Sequence, residues 1–184
     1  MSTHLQLTTS DYNRMVELGA FDHLHRKIHL IRGEICEMNP AGPAHDDLIT
    51  YLNDWSVRAI DRETTRVRVQ TGLELVQLNS RPEPDLLWVQ ARRYRDRHPT
   101  ADDVRLAIEV ADSSLQEDLV EKATLYAEAE IAEYWVVDVR RRCVHVLRKP
   151  VTGTYTERFV AEIGEQLSPL HSCGLPLDLE DLFG

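Results

Sequence analysis

Three charged residues lie in segments that are otherwise strongly apolar. Asp85 precedes the apolar run LLWV, Glu109 lies late in the run VRLAIEV, and Lys122 lies in the helical pattern that follows. An isolated buried charge is costly, so three of them in neighbouring elements need a shared reason. Two carboxylates, a divalent metal ion and a lysine together supply such a reason.

These residue types match one reaction in particular. Asp85 and Glu109 offer the hard oxygen ligands that magnesium or manganese prefers. A bound metal would lower the pKa of a water molecule and shield the charge on a scissile phosphate. Lys122 would hold or deprotonate the attacking water and stabilise the developing negative charge. The set therefore indicates a metal-dependent phosphodiesterase as a hypothesis.

Each of the three residues also has a structural interpretation that stays open at this point. Asp85 follows a proline and could be a turn residue. Glu109 could form a structural ion pair with Arg66 or Arg68, which share one face of the preceding alternating segment. Lys122 could extend its ammonium group out of the helix face into solvent.

The hydrophobic pattern predicts the elements that would position these groups. At 100° per residue, Lys122 falls in the middle of the apolar face of its helix. The core order is helix, strand, strand, strand, helix, strand, which predicts an α/β (α+β) fold with a mixed sheet flanked by helices, in one domain over residues 1–184. The predicted core elements are a helix over 44–60, strands over 66–78, 84–89 and 104–110, a helix over 115–130 and a strand over 133–139.

Further elements are predicted on both sides of this core. A short helix over 8–19 would be capped by Thr9 or Ser10 and ended by Gly19. Residues 26–38 alternate as a strand, or as a hairpin that bends near Arg32-Gly33. Two antiparallel strands, over 142–148 and 155–161, and an apolar tail over 175–183 that docks on the core would complete the chain.

Composition restricts the function without defining it. The 184 residues include 21 basic and 31 acidic ones, a formal charge of −10, so the chain is not steered globally towards nucleic acid and does not coat DNA. Three scattered cysteines form no zinc knuckle or disulfide framework, which favours a reduced cytoplasmic protein. His25 and His29 have HxxxH spacing but lack the glutamate of an HExxH zinc motif. No secretory signal and no apolar stretch of about 20 residues is present.

Several short motifs have an order and spacing that resemble one known family. The core motifs are EPDLL (83–87), IEVADSS (108–114), DxxxKxxxYA (118–127) and EYWVVD (133–138), and the flanking ones are GEI (33–35), MxPxGPxH (38–45), VQT (69–71) and LPLxLxxLF (175–183). From about Thr8 to Phe183, the chain resembles the Uma-two family of restriction-endonuclease-like proteins in the PD-(D/E)XK superfamily. The resemblance implies a restriction-endonuclease-like core.

The resemblance assigns roles to the charged residues of the core. Asp85 is similar to the aspartate of the PD motif, and Glu109 to the acidic residue of the (D/E)XK element. The lysine expected two residues later is absent, because Ala111 stands there. The resemblance implies that this lysine has moved to the following helix, where Lys122 fits and Asp118 would orient it.

Three further residues match family positions that would line the same site. They are Glu34, His45 and Gln70. Glu34 could equally be an exposed strand residue, and His45 a helix-capping or polar surface residue. Arg32 stands where the family usually has an acidic residue before the glycine, which weakens the case for a metal-binding role of this strand.

The resemblance implies a magnesium-dependent (or manganese-dependent) endonuclease that acts on nucleic acid, with DNA as the expected substrate. A homodimer is expected because cutting both strands needs two sites. One alternative is a catalytically silent module that binds nucleic acid or protein. Another is a metabolic or structural protein whose buried charges form only an ion network. A basic loop would contact phosphates, unless it is merely solvated; it comprises Arg92, Arg93, Arg95 and Arg97.

Overall fold

The helices and strands follow the predicted order along the chain. The computed structural model describes residues 5–38 and 40–184; residues 1–4 and 39 of the predicted domain lie outside the described residues. One continuous helix, α3, covers residues 115–128 as three segments, Leu115–Glu117, Asp118–Lys122 and Ala123–Glu128. In chain order the elements are α1 (Thr9–Glu17), β1 (Ile28–Ile31), β2 (Glu34–Glu37), α2 (Pro43–Ala59), β3 (Thr65–Val69), β4 (Leu86–Gln90), β5 (Val104–Ala111), α3, β6 (Glu133–Asp138), β7 (Cys143–Val151), β8 (Thr154–Glu162), β9 (Gln166–Leu167), β10 (Leu177–Asp178) and α4 (Leu179–Phe183).

Six strands form one mixed sheet in the order β3-β4-β5-β6-β7-β8. Neighbouring strands run antiparallel except β5 and β6, which are parallel. A parallel pair needs a long crossover connection, and α3 provides it. The two predicted C-terminal strands are present as β7 and β8. The mixed α/β architecture and its core order are therefore confirmed.

Both faces of the sheet are covered by apolar residues. On one face, Trp55 of α2 packs against Trp88 and Trp135, with ring centroids 5.4 and 6.0 Å apart. On the other face, Tyr126 of α3 meets Tyr134 edge-on at 4.9 Å. Successive strand residues point to opposite faces. Strands buried on both sides are therefore nearly continuous apolar runs, as β4, β5 and β6 are.

Strand β3 is shorter than the predicted strand over 66–78. It ends at Val69, because Gln70 has a left-handed φ of 47° and its backbone N–H donates a hydrogen bond to the backbone carbonyl of Asp85. The chain turns there, although the alternation of apolar residues continues. Leu73 therefore packs in the core on the α3 side, whereas Val67 packs against the core on the α2 side. The prediction of one strand is wrong beyond residue 69.

The N-terminal hairpin is confirmed with its bend at the predicted place. Strands β1 and β2 pair antiparallel and end at the pair Ile31–Glu34. Arg32 and Gly33 both have positive φ, 49° and 81°. Two consecutive left-handed residues are the pattern of the two-residue hairpin turn whose twist matches the flanking strands.

Two further predictions concern the start of the first helix and the C-terminal tail. The N-cap of α1 is Thr8, whose side chain accepts a bond from the Asp11 amide, and not Thr9 or Ser10. The C-terminal tail docks as predicted, since Leu179 and Leu182 of α4 belong to the α2-side core.

Core packing on the α2 side yields a direct stability test. Leu52 of α2 is fully buried, whereas Leu18 is 74% exposed. We expect Leu52→Ala to lower the free energy of unfolding by about 2–5 kcal/mol, because it removes buried methyl groups and leaves a cavity. The matched Leu18→Ala should change it little. Urea denaturation measures both, and equal midpoints for the two variants would contradict this packing.

Candidate active site

A cavity of about 390 Å³ brings the predicted catalytic residues together. Asp85, Glu109 and Lys122 all line it, and so do His45 and Gln70. Asp85 comes directly before β4, Glu109 lies in β5 and Lys122 in α3. The register pair Leu86–Ile108 places Asp85 next to Glu109 at the edge of the β4–β5 ladder.

Asp85 is buried and held by several hydrogen-bonding groups. Its Oδ2 accepts a bond of 2.9 Å from the Val110 amide and lies 3.3 Å from His45 Nε2. Gln70 Nε2 donates to Oδ1 at 3.4 Å. Burial alone would raise the pKa of Asp85, but the bonds from His45 and Val110 and the charges of His45 and Lys122 outweigh it, so the net pKa is lowered. This carboxylate is therefore ionised at neutral pH.

Glu109 is buried in the middle of the charged cluster. Its Oε1 accepts a bond of 2.9 Å from the Tyr126 hydroxyl and lies 3.2 Å from Lys122 Nζ. Burial raises the pKa of Glu109 to about 8, and the nearby charges of Asp118 and Asp85 contribute to the rise, against the opposing charge of Lys122. Glu109 thus holds a proton more tightly than an ordinary glutamate.

The side chain of Lys122 is largely buried and points into the cluster instead of out to bulk solvent. It is 12% exposed, and Nζ lies 2.8 Å from Asp118 Oδ1 as well as 3.2 Å from Glu109. Ser114 donates a bond of 2.6 Å to the other oxygen of Asp118. The two carboxylates raise the pKa of Lys122 above its usual value despite the opposing effect of burial. The predicted buried face is confirmed, and the solvent-directed alternative is wrong.

The segment that carries this lysine has an unusual backbone. Asp118–Lys122 forms one turn of π-helix between two α-helical segments, so α3 departs from a regular 100° spacing. Tyr134 of β6 donates a bond to the carbonyl of Asp118 at 3.1 Å. Single π turns are rare and occur frequently at functional sites.

The alternative ion pair for Glu109 is also wrong. The cation beside Glu109 is Lys122, whereas Arg66 and Arg68 bond to neighbouring residues of their own segment. The cluster thus combines the carboxylates of Asp85, Glu109 and Asp118 with a single lysine. The acidic groups outnumber the lysine, and their hard oxygen atoms fit a divalent cation such as magnesium.

His45 and Gln70 surround Asp85. His45 lies in the first turn of α2, and its bond with Asp85 raises its pKa despite partial burial. Gln70 accepts a bond of 3.0 Å from Lys27 while it donates to Asp85. Lys27 also lines the cavity and was not predicted from the sequence.

Other predicted residues lie apart from this group. Glu34 is exposed on β2 and is not among the residues that line the cavity, nor are the four arginines of the basic loop. Arg92 and Arg97 form ion pairs with the buried Asp103, the latter at 2.8 Å. Arg93 and Arg95 are exposed.

Sequence reasoning gave no role in the site to a buried histidine. His29 of β1 lines the cavity and is 3% exposed, and neither ring nitrogen has a hydrogen-bond partner among the residues described. Burial and the charge of Lys122 lower its pKa to about 4, so it is neutral at neutral pH. His25, its partner in the HxxxH spacing, lines the cavity too. That spacing was the only signal in the sequence.

The raised pKa of Glu109 predicts how stability depends on pH. Between the usual value of 4.5 and about 8, the folded protein retains a proton that the unfolded chain loses, so stability falls as pH rises through this interval. Glu109→Gln should reduce the loss of unfolding free energy between pH 5 and pH 8 by about 1 kcal/mol or more. The measurement is urea denaturation without divalent cations. The exposed control Glu63→Gln should keep the wild-type loss, and equal losses in all three proteins would contradict the prediction.

Comparisons with known proteins agree with this fold. The sequence profile of the Uma2 family, described as putative restriction endonuclease, matches residues 10–180. A solved structure described as a putative nuclease belonging to DUF820, from Anabaena variabilis, superposes with a TM-score of 0.74 at 15% identity. The superposition covers 96% of this chain and 97% of that one, and it shows a shared fold. No curated protein matches the chain.

Proposed function

The chain belongs to the Uma2 family of putative restriction endonucleases, and from this premise we propose that it is a metal-dependent endonuclease. It would hydrolyse phosphodiester bonds of nucleic acid, with DNA as the expected substrate, within a single domain. The observation that carries the proposal is the buried ammonium group of Lys122. It contacts Glu109 and lines the same cavity as Asp85.

Asp85 and Glu109 would hold the magnesium or manganese ion. When bound, the ion supplies an acidified water molecule and shields charge on the phosphate. Asp85 is ionised and oriented before any ion arrives, because His45, Gln70 and the Val110 amide contact it. Glu109 would release its proton on binding the ion, since its pKa is raised to about 8.

Lys122 would act as a fixed positive charge. Its raised pKa keeps it protonated at neutral pH, which favours charge stabilisation and water orientation over removal of a proton. Asp118 and Ser114 act through Lys122 as positioning residues. A preorganised charge of this kind costs no reorganisation at the moment of reaction.

Basic side chains that line the cavity favour an anionic substrate. Lys27 lines it on the side of the first hairpin, opposite in charge to the carboxylates, and so does Arg26, which is paired with Glu37. Positive side chains beside a metal site suit the phosphates of a nucleic-acid backbone. Arg93 and Arg95 of the basic loop are exposed and would add distant phosphate contacts.

Assembly and location stay predictions. A homodimer would place two active sites on the two strands of a duplex. Among the residues described, no helix has both the length and the apolar character needed to cross a bilayer. A cytoplasmic location remains an expectation from the cysteine pattern.

Nicking of supercoiled plasmid in magnesium or manganese tests the proposal. We expect Asp85→Asn and Lys122→Met to lower the rate by about 100-fold or more, because each removes a group that stabilises the transition state. The control is Lys149→Met, which changes an exposed lysine of β7. Circular dichroism must first show that all three variants fold as the wild type does.

Three outcomes would contradict the proposal. Undiminished nicking by Lys122→Met would assign the activity to another site or a contaminant. Calorimetry should show that the wild type binds manganese and that Asp85→Asn binds it more weakly. Equal binding by the wild type and this variant would exclude the metal site. A correctly folded wild type that neither binds the ion nor cuts DNA or RNA would support the catalytically silent module instead.

A further inference from the structure

A second set of ligand-type side chains lies on the central sheet outside the cavity lining. Asp138 ends β6, and it pairs in register with Cys143 at the start of β7. His145 follows two residues later and therefore points to the same face. None of the three lines the cavity that holds Asp85 and Glu109.

The three side chains converge on a common point. His145 Nε2 lies 3.9 Å from Cys143 Sγ and 3.9 Å from Asp138 Oδ2, and all three ligand atoms lie within 4.8 Å of one another. One imidazole nitrogen thus faces both partners. A nucleophile–histidine–acid triad uses the two ring nitrogens separately, so this arrangement is of a different kind. Three atoms around one point are the geometry of an ion site.

An independent observation at Asp138 points to a cation-binding role. The residue is 2% exposed, and its Oδ1 accepts bonds from the amides of Arg140 and Arg141 at 3.0 and 2.9 Å. Its Oδ2 has no hydrogen-bond partner within the described ranges 5–38 and 40–184. A buried carboxylate oxygen without a partner is rare in folded proteins and requires an explanation. A cation between Oδ2, the thiol and the imidazole would provide it.

We propose that Asp138, Cys143 and His145 bind a zinc ion. A thiolate and an imidazole select zinc over the magnesium suited to an all-oxygen site. Tetrahedral zinc with the usual bond lengths separates a sulfur and a nitrogen ligand by about 3.6 Å, and a nitrogen and an oxygen ligand by about 3.4 Å. The two separations of 3.9 Å need shifts of a few tenths of an ångström. Cys143 Sγ and Asp138 Oδ2, which lie within 4.8 Å of each other, would move together by at most about 1.2 Å.

Zinc binding at this site is an exchange of ligands and involves no change of oxidation state. The cysteine thiol loses its proton to solvent as the zinc–sulfur bond forms, while the His145 imidazole and the Asp138 carboxylate bind through lone pairs. Three protein ligands leave the fourth position for a water molecule. The ion would join the end of β6 to the start of β7, where Asp138 also lies beside Ala111 of β5. The ion would therefore have a structural role and stabilise this part of the sheet.

Cobalt substitution tests the site without any activity assay. The starting protein carries Cys36→Ser and Cys173→Ser, so that Cys143 is its single thiol. We expect one equivalent of Co²⁺ to give a thiolate-to-cobalt charge-transfer band, and Zn²⁺ to displace it. Cys143→Ser should abolish the band. Asp85→Asn should leave it unchanged, which separates this site from the candidate active site.

A histidine pair provides the matched control. His145→Gln should weaken cobalt binding by more than about 100-fold, because loss of even an outer partner of a metal ligand costs about 10- to 100-fold. The exposed His171→Gln should bind as the starting protein does. Absence of the band in the folded starting protein, or its persistence in Cys143→Ser, would overturn the inference.

Discussion

The buried ammonium group of Lys122 is the constraint around which the site is organised. Removing an ion from water costs several kcal/mol, and only close, well-placed carboxylates compensate for it. Glu109 of β5 and Asp118 of the same helix supply them at 3.2 and 2.8 Å. The helix must therefore keep its π turn against the sheet, and Tyr126 and Tyr134 fix it there through bonds to Glu109 and to the Asp118 backbone.

The same cluster contains more acidic side chains than basic ones, and this imbalance connects structure with function. Asp85 stays ionised because hydrogen bonds offset its burial, whereas Glu109 is pushed towards its protonated form. A divalent cation between them would relieve the repulsion. Because the chain has an overall charge of −10, we expect nucleic acid to bind only when the cavity holds its metal ion. Basic residues such as Lys27, which line the same cavity, would then contact it.

The charged residues of the site could be predicted because they interrupt apolar runs of the core elements, a pattern that is visible in the sequence alone. Asp85, Glu109 and Lys122 could be found in this way. Strand β3 could not be bounded, since the alternation continues past the left-handed Gln70. His29 is buried only through tertiary packing of its hairpin. The Asp138 group joins residues across a strand ladder, at spacings that match no linear metal motif.

Anomalous diffraction from crystals soaked in manganese shows directly whether Asp85 and Glu109 together hold a metal ion. We expect an anomalous peak about 2.0–2.3 Å from carboxylate oxygens of both Asp85 and Glu109, with Lys122 Nζ still beside Glu109. A well-ordered cavity with no peak between the two carboxylates at saturating manganese would exclude this metal site.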